Sequence, residues 1–347
     1  GTVTDQPFDL LESIGRDCVG AIQLSKETTS DIKKIQAEPI RDDDIAQLLN
    51  NYRDAPLGMT RTVDDFRISM AGAQEKTALL RHNDQWHIPH GATPTTHIFK
   101  LPIGKIEHQQ IDLTLSCENE WLCSQIANAF GLSTANCSIQ HFNDVKTLVV
   151  ERFDRKLSQD QRWIMRLPQE DMCQALGFSP NLKYQSDGGP GIKNIMTCLL
   201  ASEKADDDRD NFYRTQILFW LLAAIDGHAK NFSLFIQPEG KFQATPLYDI
   251  MSAHPLLANM QLQQQKIKMA MALYGKNRHY HWYRIQQRHF ISTAKFVNYD
   301  PLRAQHILDD MLAAVENVIA TVSAQLPSHF PSYISDPIFT GMQQLSR

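Results

Sequence analysis

The chain has 347 residues, 42% of them hydrophobic, and a formal net charge of −5; this is enough apolar material for a sizeable core, too long for one small domain, and too acidic for a surface that coats nucleic acid all over. No apolar run reaches the roughly 20 residues a bilayer requires, and no basic-then-apolar leader opens the chain. The six cysteines form no C-x-x-C pair, which excludes a disulfide scaffold or zinc module and points to reduced thiols in a cytoplasmic protein.

Residues 8–25 predict a short helix stopped at Gly15, followed by a strand. FRISMAGAQEKTALL predicts a hairpin with its turn at AGAQEK, and TTHIFKL alternates as a strand does. Over 116–130 the spacing is helical, with Ser116 able to cap the start, acidic residues in the first turn and Gly131 at the end. Two strands, 135–141 and 146–153, flank an Asn143-Asp144 turn. Beyond about residue 160 the texture turns helical, over 169–177, 211–225 and 302–325, with a loop at SDGGPGI. The expectation is an α+β protein with a strand-rich lobe over 1–150 and a mostly helical lobe over 151–347.

The most apolar neighbourhood, ILFWLLAAIDGHAKNFSLFI, is cut in half by a polar hexapeptide. Asp226 and Asn231 stand five residues apart, the spacing of the base and the magnesium ligand in a protein-kinase catalytic loop. A carboxylate there orients and deprotonates a substrate hydroxyl, while an amide oxygen holds the metal nearby. Taken alone the pattern is far more often a turn-capping Asp beside a buried His. Asp249 follows after a strand-like segment and a Pro238-Glu239-Gly240 turn, the order in which kinase folds place a second metal ligand; alone, it is an Asp at a strand end. Upstream, Lys100 lies in a predicted strand and Glu120 on the next helix, as a phosphate-binding lysine and its carboxylate partner do. The segment from Ser69 to Lys76 is small enough to cradle phosphate but matches neither Gly-rich fingerprint. The order of these parts is that of an ATP-dependent phosphotransferase.

With FDLLESIGRDCVGA, FRISMAGAQEKTALL, PTTHIFKLPIG, VERFDR, LPQEDMCQALG, KYQSDGGPGI, DGHAKNFS and YDIMSA in order, the sequence resembles the HipA family of bacterial toxin serine/threonine kinases. The resemblance implies a two-lobed protein-kinase-like fold that uses ATP and Mg²⁺. It implies Asp226 as catalytic base, Asn231 and Asp249 as magnesium-facing residues, and Lys100 on the ATP phosphates. By the same match Ala71, Gly72, Ala73, Gln74, Glu75 and Lys76 form the nucleotide loop. Glu151, Arg152 and Phe153 are the hinge that reads adenine through its backbone, and Asp154 lies beside the ribose. His228, Ala229 and Lys230 line the nucleotide with Asn231, and Ser69 is the autophosphorylated serine that switches the kinase off. The implied partners are a helix-turn-helix, HipB-like antitoxin, operator DNA bound by the toxin–antitoxin complex, and an aminoacyl-tRNA synthetase as substrate. Phosphorylation of that synthetase, glutamyl-tRNA synthetase in the best-known case, would arrest growth and promote persistence.

Two departures from the family pattern stand out. Longer members carry a small N-terminal subdomain that this chain is expected to lack. Of two basic positions that touch operator DNA in the family, Lys295 matches one and Asn298 replaces the other. HYHWYRIQQRHF, with interleaved aromatic and basic residues, reads as a half-buried helix rather than a nucleic-acid face. His87, His90, His228 and His254 lack metal-ligand spacing. The competing functions are an ATP-binding co-repressor of weak activity and a small-molecule phosphotransferase.

Overall fold

An antiparallel sheet builds the first half of the fold. The strand Lys76–His82 buries Thr77 through Leu80 and pairs antiparallel with Gln85–Pro89 on one side and His97–Lys100 on the other. Between His82 and Gln85 the chain reverses through Asn83 and Asp84, both at positive φ (46° and 58°), the geometry a tight two-residue hairpin requires and Asn and Asp tolerate. This hairpin goes beyond the sequence reading. The anticipated Asn143-Asp144 turn does join Cys137–Phe142 to Val145–Glu151. The completed six-stranded sheet runs Ala37–Pro39, Gln85–Pro89, Lys76–His82, His97–Lys100, Val145–Glu151, Cys137–Phe142. Ile45, Ala46 and Leu49 of the helix Asp42–Asp54 close one of its faces, in a cluster with Leu79, Trp86, Phe99 and Val149.

The structure, a computed structural model, describes residues 15–24, 31–54, 74 and 76–347. Two units alternate along the sequence: Gly1–Ile103 with Ala135–Gln169, and Gly104–Thr134 with Glu170–Arg347. The first is strand-rich and the second largely helical, an α+β architecture. The helix Ser116–Ala129 groups with the helical unit. Ser116 is its first helical residue and not its cap: Leu115 precedes the helix and no side chain caps it. At the other end Gly131, at φ 77°, donates its N–H to Asn128 O at 2.8 Å, the left-handed stop the sequence predicts.

The helix Ala205–Leu221 forms the centre of the helical unit. Asp206, Asp207 and Asp208 in its first turn oppose the positive end of the helix dipole, and almost every residue from Phe212 to Leu221 is buried. It ends at Leu221, earlier than the apolar run suggests, because Ala223 adopts φ 47° and Ala224 N–H reaches back to Phe219 O at 2.8 Å, a Schellman-type stop. Around it lie the long helix Pro301–Ser323, close to the expected 302–325, and the helices Gln287–Phe296 and Ser332–Ser346.

Three local expectations are corrected. Among the described residues 15–24 there is a 3-10 turn, Gly15–Asp17, and no strand. Residues 169–177 divide into a strand, Gln169–Asp171, and a four-residue helix, Met172–Ala175, whose start Asp171 caps together with Gln174. HYHWYRIQQRHF is not one helix: it is the end of the strand Arg278–His281, a 3-10 turn Trp282–Arg284, and the start of the helix Gln287–Phe296. Trp282 is drawn inward to bond a helix end, and this breaks the helical register. Among the described residues no helix is long and apolar enough to cross a membrane.

Candidate active site

A helix leaves its last four carbonyls without intrahelical partners. At the C-terminus of Ala205–Leu221, Leu218 O and Phe219 O accept from Leu222 N and Ala224 N of the turn that ends the helix, and the four carbonyls that follow are taken by groups outside it. Trp220 O accepts from Trp282 Nε1 (2.8 Å), Leu221 O from His254 Nε2 (2.9 Å), Leu222 O from Ser252 Oγ (2.5 Å) and Ala223 O from Ala253 N (3.1 Å). Three of these donors belong to SAH, the segment just after YDIM. Ser252 is clamped a second time, its backbone exchanging two 2.8 Å hydrogen bonds with the Asn119 side chain. Asp226 and Asp249, 23 positions apart in sequence, are thereby tied to one helix end.

The polar hexapeptide follows. Gly227 is required there by space: a Cβ would lie 2.1 Å from Phe219 Cε2. Asp226 carries a side chain 64% exposed and accepts a hydrogen bond on Oδ1 from the Tyr184 hydroxyl; His228 Nε2 lies 4.0 Å from its other oxygen. The backbone N–H of His228 donates to Asp226 O (2.8 Å) and Asn231 Oδ1 (3.2 Å), closing the 3-10 turn Ala229–Asn231. His228 is buried, and burial first of all holds its imidazole below the usual histidine range. Asn231 Nδ2 donates to Asp249 Oδ2 at 3.3 Å. Asp249 sits at φ 60°, a left-handed conformation uncommon for a non-glycine residue and often found at functional sites. Lys230 makes a 2.5 Å ion pair with Asp171, both side chains largely buried, so its ammonium is committed to the residue that caps Met172–Ala175.

The donor set suits magnesium: Asp249 offers a carboxylate, and the Asn231 amide oxygen keeps one lone pair beyond the His228 N–H. Mg²⁺ takes one or two such hard oxygens and completes its shell with phosphate and water. Among the described residues no three or more His, Cys, Asp or Glu side chains gather into a metal cage.

The strand-rich unit holds the other expected residues. Lys100, 7% exposed, stands directly opposite Lys76 in the antiparallel register. Directly opposed residues leave the same sheet face, so this register sets two cations side by side. Gln74 donates from Nε2 to Leu101 O at 2.5 Å. Ser69, Ala71, Gly72, Ala73 and Glu75 lie outside the described residues. At the end of Val145–Glu151, the Glu151 and Arg152 N–H groups donate to Asn136 O and Thr96 O, each at 2.8 Å. Arg152 and Asp154 turn their side chains inward. Asp154 Oδ2 accepts from Arg152, Arg155 and Gly20 N at 2.8–2.9 Å, and Oδ1 from Arg152 Nε at 3.1 Å. The carboxylate expected beside a ribose is thus occupied by four donors in a buried brace with Asp17, Arg155 and Arg166. In the helical unit, Glu120 is buried on Ser116–Ala129, and Lys295 lies exposed on Gln287–Phe296.

Sequence reasoning missed Tyr184 and the helix-end clamps. The KYQSDGGPGI string was legible as a motif, but nothing local in it shows that its tyrosine reaches Asp226.

Residues 68–319 match the family model described as HipA-like C-terminal domain. The chain belongs to this family. Y4mE of Sinorhizobium fredii is 34% identical over 72% of this chain and 59% of its own length. The serine/threonine-protein kinase toxin HipA of Shewanella oneidensis is 30% identical over 73% of this chain and 58% of its own length. The chain therefore spans less than two thirds of these curated relatives. A structure of the Shewanella oneidensis MR-1 HipA, HipB and operator DNA complex superimposes with a TM-score of 0.79 at 23% identity, over 98% of this chain and 79% of that one. This last similarity shows a shared fold. Together with the strand-rich and helical units, it identifies the architecture as the kinase-like α+β fold of the HipA family.

Proposed function

We propose that the chain is a HipA-like toxin that transfers the γ-phosphoryl group of Mg-ATP to a serine or threonine hydroxyl of a protein. The observation that carries the reading is the clamped helix end that holds both an exposed Asp226 carboxylate and the Asn231–Asp249 pair. Asp226 takes the proton of the acceptor hydroxyl as its oxygen bonds to the γ-phosphorus. The bond from that phosphorus to the β–γ bridging oxygen breaks, and ADP leaves with the electron pair. Asn231 and Asp249 would hold magnesium, which supplies neutralising charge at the phosphates. Lys100 and Lys76 face the phosphate oxygens, and Glu120 is the proposed carboxylate partner of Lys100. The hinge at Glu151–Phe153 takes the adenine edge, with Ala71–Glu75, His228 and Ala229 completing the nucleotide contacts. Asp154 serves as support for the hinge.

As partners the reading takes, by resemblance to the family, a helix-turn-helix antitoxin, operator DNA with Lys295 near it, and an aminoacyl-tRNA synthetase whose modification would arrest growth and favour persistence. Ser69 is the proposed autophosphorylation site. Incubation with Mg-ATP and a lysate, followed by phosphosite mapping, tests the activity. Asp226→Asn should reduce transfer by 10²–10⁴-fold, the typical contribution of a positioned base, with nucleotide binding retained. A variant keeping a tenth or more of the wild-type rate removes Asp226 from that role. Phosphate found only on small-molecule hydroxyls would place the chain with small-molecule phosphotransferases instead.

A further inference from the structure

Asp226 is exposed on a loop, and an unrestrained carboxylate there would sample several rotamers. A base must be held within a few tenths of an ångström of its productive geometry. One group supplies that restraint directly: the Tyr184 hydroxyl, which donates to Asp226 Oδ1.

Tyr184 is itself fixed from four directions. Its carbonyl accepts from Asp187 N (3.1 Å) and Gly189 N (3.0 Å), folding the KYQSDGG segment onto itself. The next side chain, Gln185, is buried and pinned to the strand Lys268–Tyr274. Its Nε2 donates to Tyr274 Oη at 2.8 Å, and its Oε1 accepts from Ala272 N at 2.7 Å. Gly191 leaves room for that amide, since a Cβ there would stand 2.3 Å from Gln185 Cδ. Lys183 O accepts from Ala229 N at 3.2 Å, joining the segment to the catalytic loop, and the Tyr184 ring meets His228 edge-on at 5.1 Å and 83°. Most of this framework is buried or backbone, whereas the phenol oxygen it carries ends on an exposed carboxylate. Burial, and then the hydrogen bond to Asp226, push the phenol above the ordinary tyrosine range, so it remains a donor throughout neutral pH.

We propose that Tyr184 is a positioning residue for the Asp226 base, holding Oδ1 so that Oδ2 is presented to the acceptor hydroxyl. The inference rests on the kinase reading above and adds to it a residue outside the catalytic loop. It also gives the DGGPG glycines a reason: they let a tight turn close behind the tyrosine.

The test is Tyr184→Phe, which removes one oxygen and keeps the ring against His228. With Mg-ATP and a phospho-accepting protein, kcat should fall roughly ten- to a hundred-fold, the range for losing one hydrogen bond to a charged group. KM for ATP and the melting temperature should stay at wild-type values. Adding Tyr184→Phe to Asp226→Asn should cause no further loss, because the tyrosine acts only through the carboxylate. A Tyr184→Phe protein with wild-type or faster kcat overturns the proposal, as does a loss matched by a rise in ATP KM and a lower melting temperature. Activity abolished by Asp226→Asn but untouched by Tyr184→Phe overturns the role of Tyr184 alone; a wild-type chain that transfers no phosphate overturns the kinase reading and Tyr184's role with it.

Discussion

Replacing Asp17 by alanine would leave the buried Arg152 and Arg155, and the partly buried Arg166, with a single carboxylate, Asp154. In the intact strand-rich unit, Asp17 Oδ1 accepts from Arg155 Nη2 at 3.0 Å and Arg166 Nη1 at 3.3 Å. Its Oδ2 accepts from Arg152 Nη1 and Thr95 N, both at 3.0 Å, and from the Thr95 hydroxyl. The side chains of Arg152 and Arg155 are 2% and 1% exposed, so water cannot substitute for the lost partner. Burial, followed by the neighbouring Arg152, already pushes Arg155 down to about 10. Burial acts to raise the Asp17 carboxyl, but the three guanidiniums outweigh it and hold the carboxyl below its usual 3.8. Five lost bonds do not add up, because Arg152 and Arg155 each keep Asp154. The cost should be that of breaking one buried ion pair, about 3–5 kcal/mol.

Hydrogen exchange read by mass spectrometry separates the two units, which whole-chain melting would blur. Peptides covering Lys76–His82 and Val145–Glu151 should lose protection by roughly two to nearly four orders of magnitude at neutral pH, at about 1.4 kcal/mol per decade. Peptides from Ala205–Leu221 should change far less. Arg41→Ala, which breaks an ion pair 84% and 50% exposed, should produce no measurable change. Since the native Asp17 pKa is lowered, its stabilisation is present above about 3.8 and is lost as the pH falls through the native value, and wild type and variant should converge in acid. A loss below about 1 kcal/mol at neutral pH would contradict the reading of this cluster as a buried, mutually dependent brace.

Gly227→Ala places a methyl 2.1 Å from Phe219, which is 3% exposed; it should cost about 1–3 kcal/mol by overpacking and lower phosphoryl transfer, measured by urea unfolding and initial rates. Lys76→Met should weaken ATP binding several-fold, since it removes one of the two cations set opposite each other in the sheet register; calorimetric titration decides this, and unaltered affinity counts against a phosphate role. The buried His254 is held below its ordinary 6.5 by burial, so the unfolded chain takes up its proton first as pH falls. The associated stability is present above about 6.5 and should decline by up to about 1.4 kcal/mol per pH unit below it, visible as a falling melting temperature from pH 7 to 5.5 that His254→Asn attenuates.

What was legible in the sequence was whatever local chemistry determines. Asn143-Asp144 and Gly131 mark their turns because each is of a residue type that tolerates left-handed backbone. The same chemistry at Asn83-Asp84 passed unremarked beside the more conspicuous AGAQEK. The helix Ser332–Ser346 was not anticipated, and it contains Pro337, ordinarily a helix breaker. Ile334, Ile338 and Met342 are nonetheless buried at helical spacing, so packing outweighs the proline. The proposed site residues stand out as an order along the chain. Their supports do not, because Trp282, His254, Ser252 and Tyr184 reach their partners across 30 to 62 positions of sequence, and nothing in a single sequence records such pairings.

Those supports explain why a polar hexapeptide can divide the most apolar stretch of the chain. The helix Ala205–Leu221 carries its buried residues to the end, and the carbonyls there are satisfied by Leu222 N, Ala224 N, 252–254 and Trp282 without drawing on DGHAKN. The hexapeptide is left free of capping duty, and its carboxylate can face outward. Asp249 completes the logic. On one side Tyr248 bonds Lys230 O and Ser233 Oγ at 2.8 and 2.6 Å; on the other Ile250 is 2% exposed in the core. Between two anchored residues, a left-handed backbone turns the carboxylate out toward Asn231. Such a conformation costs a non-glycine residue of order 1 kcal/mol or more. Glycine would adopt it freely but would carry no carboxylate, and under the proposed function that carboxylate is the magnesium ligand for which the strain is retained.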